Sequence, residues 1–173
     1  MGVLIPGASA LAASNPIARG VSVVQRSPRS LLQRKRDALA RLEREVDLWV
    51  ASADGEGNPH LIPLSYLWDG TTLTMATLTA SHTARNLRRW RRVRLAIGGT
   101  RDVLIIDGTV EVFPRETVPA KLADAFAARL WDARTSTQRY EYFRVMPQRI
   151  QAWHGRDELS SRDLMRDGRW LVP

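Results

Sequence analysis

Between Leu48 and Trp153 the chain runs as short apolar segments, each closed by a strong turn signal, and that spacing points to an antiparallel β meander. Leu48 to Ala53 is the first run, followed by the turn cluster Asp54-Gly55-Glu56-Gly57-Asn58. In His60 to Trp68, period-two spacing puts Ile62, Leu64, Tyr66 and Trp68 on one face. Asp69-Gly70 is a hairpin signal, and Thr72 to Thr77 is the return strand, with Leu73 and Met75 pointing one way. Val93, Leu95 and Ile97 then alternate with Arg92, Arg94 and Ala96 as far as Gly98-Gly99. Val103 to Phe113 is a further strand with Gly108 at a bulge or bend, ending at Pro114. Tyr142 to Met146 and Arg149 to Trp153 read as two strands on either side of Pro147. Seven or so strands suggest a closed or nearly closed barrel, because closure removes exposed edges.

Three segments carry helical spacing instead. From Ser27, Pro28 suits a first helical turn, and Leu31, Leu32, Leu39, Leu42 and Val46 recur as one apolar face. The opposite face holds Arg34, Lys35, Arg36, Arg41 and Arg44 among Asp37, Glu43 and Glu45, the pattern of a solvated surface. Ser81 to Arg89 is a short helix with Ser81 as N-cap, and Thr117 to Trp131 is a second amphipathic helix.

A chain of 173 residues with 44% apolar content supports one domain with extensions. We expect residues 1–27 to be a flexible extension, 28–155 the folded domain, and 156–173 a tail packing on it or on a second copy. There is no cysteine, and His60, His82 and His154 lie too far apart for a local zinc motif, so no metal site is expected. No apolar run approaches the roughly 20 residues of a membrane span. Residues 1–18 lack the basic start of a secretory signal, which makes the cytoplasm the expected location. The net charge of +8 comes almost wholly from arginine, the only lysines being Lys35 and Lys121, and arginine favours anionic partners.

The segment richest in chemistry is Thr77-Leu78-Thr79-Ala80-Ser81-His82-Thr83-Ala84-Arg85-Asn86-Leu87, which joins a strand to a helix start. Free N–H groups and the positive end of the helix dipole favour an anion such as phosphate there. The hydroxyls of Thr79, Ser81 and Thr83 can add hydrogen bonds, and Arg85 can add charge. The alternative is that Ser81 merely caps the helix.

The order of these motifs resembles the pyridoxamine 5'-phosphate oxidase-like superfamily. The resemblance rests on Asp54-Gly55, Gly57-Asn58-Pro59-His60, the apolar strand with Pro63, Trp68-Asp69-Gly70, Thr77, and Ser81 to Leu87. It continues through Val93 to Ile97, Asp107-Gly108-Thr109-Val110-Glu111 and Pro147-Gln148-Arg149-Ile150-Gln151-Ala152-Trp153, covering about Asp37 to Trp153. It implies a mainly β fold with helices (α+β), an antiparallel split β-barrel of six or seven strands in a Greek-key-like order. It also implies a homodimer with a cofactor groove between subunits. In such families the strand at Pro63, Leu64 and Ser65 passes the flavin ring. Thr77, Leu78 and Thr79 lie beside the ribityl chain, and the helix start at Ser81, Thr83, Ala84, Arg85 and Asn86 takes the phosphate. Trp153 approaches the ring from the partner subunit, or else belongs to the core or the dimer interface. The chain departs from its relatives at Thr83, where many carry lysine; the missing charge then falls to Arg85 or Arg101. FMN is the expected cofactor, with the deazaflavin F-420 and haem as alternatives.

The expected activity is that of an oxidoreductase moving a hydride or electrons between such a cofactor and a small organic substrate. No catalytic acid, base or nucleophile is identifiable; His60 is a possible proton donor or simply a surface residue. The second reading is a flavin- or haem-binding carrier or sensor without turnover. A third, nucleic-acid binding through Arg85, Arg88, Arg89, Arg91, Arg92, Arg94 and Trp90, is less economical, since these arginines flank the phosphate helix or alternate along a strand.

Overall fold

A computed structural model of the chain describes residues 27–173, so the extension expected at residues 1–27 lies almost wholly outside the described residues. The first element is helix α1 (Leu31–Arg44). Its N-cap is Ser30, whose Oγ accepts from the N–H of Gln33 at 3.1 Å, so the helix begins beyond Pro28. The buried face is the expected one only in part: Leu42 is enclosed and Leu31 packs against the core. Arg34, Ala38 and Leu42 are enclosed, whereas Leu32 and Val46 are exposed. Arg34 can be buried because the end of the chain supplies acceptors: Ala152 O at 3.2 Å, Glu158 O at 3.4 Å and Ser161 Oγ at 3.0 Å. No local pattern reveals partners more than a hundred residues away.

The barrel follows as β1 (Asp47–Ala53), β2 (Pro59–Trp68) and β3 (Leu73–Leu78). Helix α2 (His82–Trp90) leads into β4 (Arg92–Ile97) and β5 (Val103–Pro114), and helix α3 (Ala120–Arg129) leads into β6 (Tyr140–Trp153). Every pairing is antiparallel, and the order β3-β2-β1-β4-β5-β6 closes through β3–β6 into a six-stranded barrel. Helix α4 (Arg156–Leu159) and strands β7 (Asp163–Arg166) and β8 (Arg169–Trp170) continue the sheet beyond β6, giving an α+β fold. β6 pairs with β3 through its first half and with β7 through its second.

Alternation fills the barrel. Leu48, Val50, Tyr66, Leu73, Met75, Leu95, Ile106, Phe143 and Val145 form its core, with Ile62, Leu64 and Trp68 packed against it. Tyr66 also ties α1 to the barrel: its hydroxyl donates to Leu42 O at 3.1 Å, and burial pushes the phenol up to about 12. The outer face of β3 and β6 is covered too. Ala123 and Phe126 of α3 pack there with Ala76 and Tyr142, which explains why β3 is buried on both faces. Among the described residues no helix is long and apolar enough to cross a membrane.

Where two strands were expected around Pro147, β6 is continuous. The register on β5 shifts between Asp107 and Gly108, so that Arg149 and then Pro147 are successive partners and Gln148 is the extra residue. A bulge accommodates a proline that an unbroken ladder would exclude. Gly108 is needed there for space. A Cβ on it would meet Val145 Cγ1 at 2.5 Å and the backbone O of Met146 at 2.8 Å. Gly108→Ala is expected to lower stability by about 1–3 kcal/mol, read as a fall in the denaturation midpoint.

The final segment is anchored by Glu158. Burial alone would raise its carboxyl pKa, but Arg29 donates to it from Nε, Nη2 and the backbone, and His154 donates from its backbone N–H. Together these hold it at about 2, against an ordinary 4.5. A depressed carboxylate pKa stabilises the fold above the ordinary value, and that stabilisation is lost as pH falls from 4.5 toward about 2. Chemical denaturation at a series of acid pH values should show wild-type stability falling through this window more steeply than that of Glu158→Gln.

Candidate functional site

The barrel is open along one seam. β2 and β3 pair through Tyr66↔Met75, Leu67↔Thr74 and Trp68↔Leu73, and there their ladder stops. Past that point β2 stays with β1, from Ser65↔Asp47 to Pro59↔Ala53, while β3 stays with β6 as far as Leu78↔Tyr140. Pro63, Leu64 and Ser65 therefore line one side of a gap, and Ala76, Thr77 and Leu78 line the other. The gap is part of a groove of about 480 Å3, completed by Asp47, Phe126, Trp131 and Tyr140. This is the size of a small-molecule site.

A strand bonded along one edge leaves alternate N–H and C=O groups of its other edge unpaired. Proline suits such a position because it has no N–H to offer a ladder. The groove thus combines apolar side chains with two backbone edges. Its polar side chains include Thr77, whose Oγ1 lies 3.4 Å from Ser81 Oγ, Ser65, whose hydroxyl donates to Asp47 Oδ1 at 2.6 Å, and Asp47 and Tyr140 themselves.

From the end of β3 the chain turns directly into α2. Ser81 Oγ accepts from the N–H of Ala84 at 3.0 Å, as an N-cap does. The N–H groups of Thr79 and Ser81 are taken by Arg139 O and Leu78 O. Arg85 is exposed and donates to Ala80 O, while Arg88 pairs with Glu141 and donates to Thr79 O at 3.0 Å. The rings of His60 and His82 stand 5.7 Å apart at this same end.

Of the residues singled out from the sequence, the groove brings together Pro63, Leu64, Ser65, Thr77 and Leu78. Thr79, Ser81 and Arg85 occupy the turn and first helical turn next to it. Thr83 and Ala84 are completely buried, and the Thr83 hydroxyl has no partner among the described residues. Asn86 is buried and donates to Ser52 Oγ at 3.1 Å, which ties α2 to β1. Arg101 is exposed in the β4–β5 loop, and Trp153 pairs with Val103 at the end of β6; neither lines the groove of this single chain. The basic run is partly spent on ion pairs, Arg88 with Glu141 and Arg94 with Asp107. Arg89 lies over the Trp90 ring.

Asp47, Ala76, Phe126, Trp131 and Tyr140 were not legible as site residues. Asp47 reaches the groove only through its register with Ser65, and the three aromatics arrive through the docking of α3 and its flanks on the outer sheet face. The one local signal was two aromatics, Trp131 and Tyr140, bounding a polar link.

The model of the pyridoxamine 5'-phosphate oxidase family matches residues 35–154. No functionally curated sequence matches the chain. Among solved structures, a candidate pyridoxamine 5'-phosphate oxidase from Listeria innocua is similar at TM-score 0.57 and 20% identity, over 70% of this chain and 98% of that one. An F420 reductase is similar at TM-score 0.53 and 20% identity, over 64% and 93%. The haem storage protein HutZ of Vibrio cholerae is similar at TM-score 0.53 and 17% identity, over 66% and 90%. At such identities the structural likenesses establish the fold, and the family match covers most of the chain. The six-stranded barrel, its open seam and this match agree: the chain belongs to the pyridoxamine 5'-phosphate oxidase-like split-barrel family.

Proposed function

We propose that the chain is an oxidoreductase that holds a flavin-type cofactor, FMN in the first instance, with the ring in the seam between β2 and β3. The observation that carries this reading is the seam itself, a gap between two strand edges that have left their common ladder, lined by the apolar side chains of Pro63, Leu64 and Leu78. A planar ring with a polar rim fits that chemistry: apolar surface meets its faces, and backbone donors and acceptors meet its edge. The similarity to an F420 reductase supports the same reading and keeps a deazaflavin as the alternative ligand.

When bound, the cofactor supplies the hydride or electron transfer. The protein's part is to orient and to exclude water. Pro63 and Leu64 line the gap with apolar surface, Ser65 is held in place by Asp47, and Thr77 and Thr79 offer hydroxyls along the way to α2. The start of α2 then receives the phosphate through its first-turn N–H groups, Ser81 Oγ and Arg85. Thr83 takes no part, because its side chain is enclosed. A haem-binding role has less support: Tyr140 is the one groove residue of a kind that serves as an axial ligand, histidine, cysteine and methionine being absent from the lining.

A second copy of the chain belongs to this reading. Trp49 and Leu61 are 47% and 59% exposed and share with Pro63 the outward face of β1 and β2, beside the groove. Covering that apolar face with a partner would also roof the groove. Light scattering should then report a dimer, and the double variant Trp49→Glu, Leu61→Glu should shift it toward monomer.

The cofactor assignment is tested by fluorescence titration with FMN and with riboflavin, which lacks the phosphate. Saturable FMN binding is expected, with Arg85→Ala reducing the preference for FMN over riboflavin about tenfold through loss of a charged hydrogen bond. Binding of neither ligand, and none of the deazaflavin, would overturn the reading.

A further inference from the structure

The groove has an aromatic wall that the cofactor reading leaves unused. That wall is built by the connection between β5 and β6, where Phe126 of α3 brings Trp131 and Tyr140 into place. The Trp131 ring stands edge-on to Tyr140 at 4.8 Å and to Phe126 at 6.3 Å, and the residue is 39% exposed. Packing against two rings fixes its orientation while one side stays open.

Asp47, the first residue of β1, lines the same groove. Its Oδ1 accepts from Ser65, and among the described residues no arginine, lysine or histidine comes within ion-pair distance of it. That is unusual in a chain whose sheet carboxylates are otherwise matched: Asp107 with Arg94, Glu111 with Arg144, Glu141 with Arg88 and Asp163 with Arg149. The cations on adjoining elements have other partners. Arg44 pairs with Glu45, and Arg129 donates to the carbonyls of Glu43 and Arg44. A strongly basic protein thus keeps an unmatched carboxylate in a groove that also holds a tryptophan and a tyrosine. An ammonium ion is the ligand group that satisfies both, through charge pairing and through the negative faces of the rings.

We propose that Asp47, Trp131 and Tyr140 form a subsite for an organic cation, so that the substrate carries an amine or a quaternary ammonium group. The inference rests on the cofactor reading only in calling this ligand the substrate; the binding site itself stands on the groove. Asp47 supplies the counter-charge and Trp131 the principal aromatic surface, with Ser65 holding the carboxylate in position.

Calorimetric titration of the full chain with choline and with its uncharged isostere 3,3-dimethylbutan-1-ol tests this directly. Choline is expected to bind about tenfold more tightly than the isostere. Asp47→Asn should reduce choline to the level of the isostere without changing the isostere. Trp131→Leu should weaken choline about tenfold, and Trp131→Phe should restore most of the loss. Equal binding of the two probes by the wild-type protein, or a preference for choline that survives Asp47→Asn, would overturn the proposal. FMN titrated in parallel separates the two readings. Flavin binding with no discrimination between the probes overturns the cation subsite alone, and discrimination without flavin binding supports the subsite and overturns the cofactor assignment.

Discussion

The ladder between β3 and β6, from Leu73↔Val145 to Leu78↔Tyr140, is the interaction on which the rest of the architecture depends. It closes the barrel, which removes the edges an open six-stranded sheet would expose. It also decides where the barrel opens. Because β3 follows β6 along its full length, it can part from β2 after Tyr66↔Met75 while keeping one bonded edge. The seam therefore costs only the hydrogen bonds on one side of two short segments. Those unsatisfied groups are what make it a binding groove.

The same ladder sets the outer surface. It turns Ala76 and Tyr142 outward as cross-strand partners, and α3 covers them with Ala123 and Phe126. Edge-to-face contacts of Phe126 with Tyr142 and with Trp131 then carry the packing out to the rim of the groove. One small cluster outside the barrel thus does two things: it buries the back of β3, and it delivers the aromatic wall.

Charge follows the same logic. Most of the arginine surplus lies on the surface, but several arginines act as ties between distant segments. Arg34 reaches the carbonyls of Ala152 and Glu158, Arg29 holds Glu158, and Arg41 pairs with Asp102. A planar guanidinium holds five donors in a fixed fork, against the three of a lysine ammonium, and so can tie more acceptors at once. This explains how a buried arginine sits on a face of α1 that local pattern reading assigns to solvent.

Sequence alone determined the strand meander, the N-cap at Ser81, the bend at Gly108 and the family, because each is written in neighbouring residues: period-two alternation, turn glycines, a capping hydroxyl. It also singled out Pro63, Leu64, Ser65, Thr77 and Leu78, through the order of motifs and not through any visible contact. Tertiary structure decided what depends on partners far along the chain. It merged two expected strands into one across Pro147, because a bulge against Gly108 absorbs the proline. It added β7 and β8 to the sheet and turned Arg34 inward. It enclosed Thr83, and it brought Asp47, Trp131 and Tyr140 into the lining of one groove. Local patterns record which way a side chain points along its own element, whereas only pairing and packing determine what it meets there.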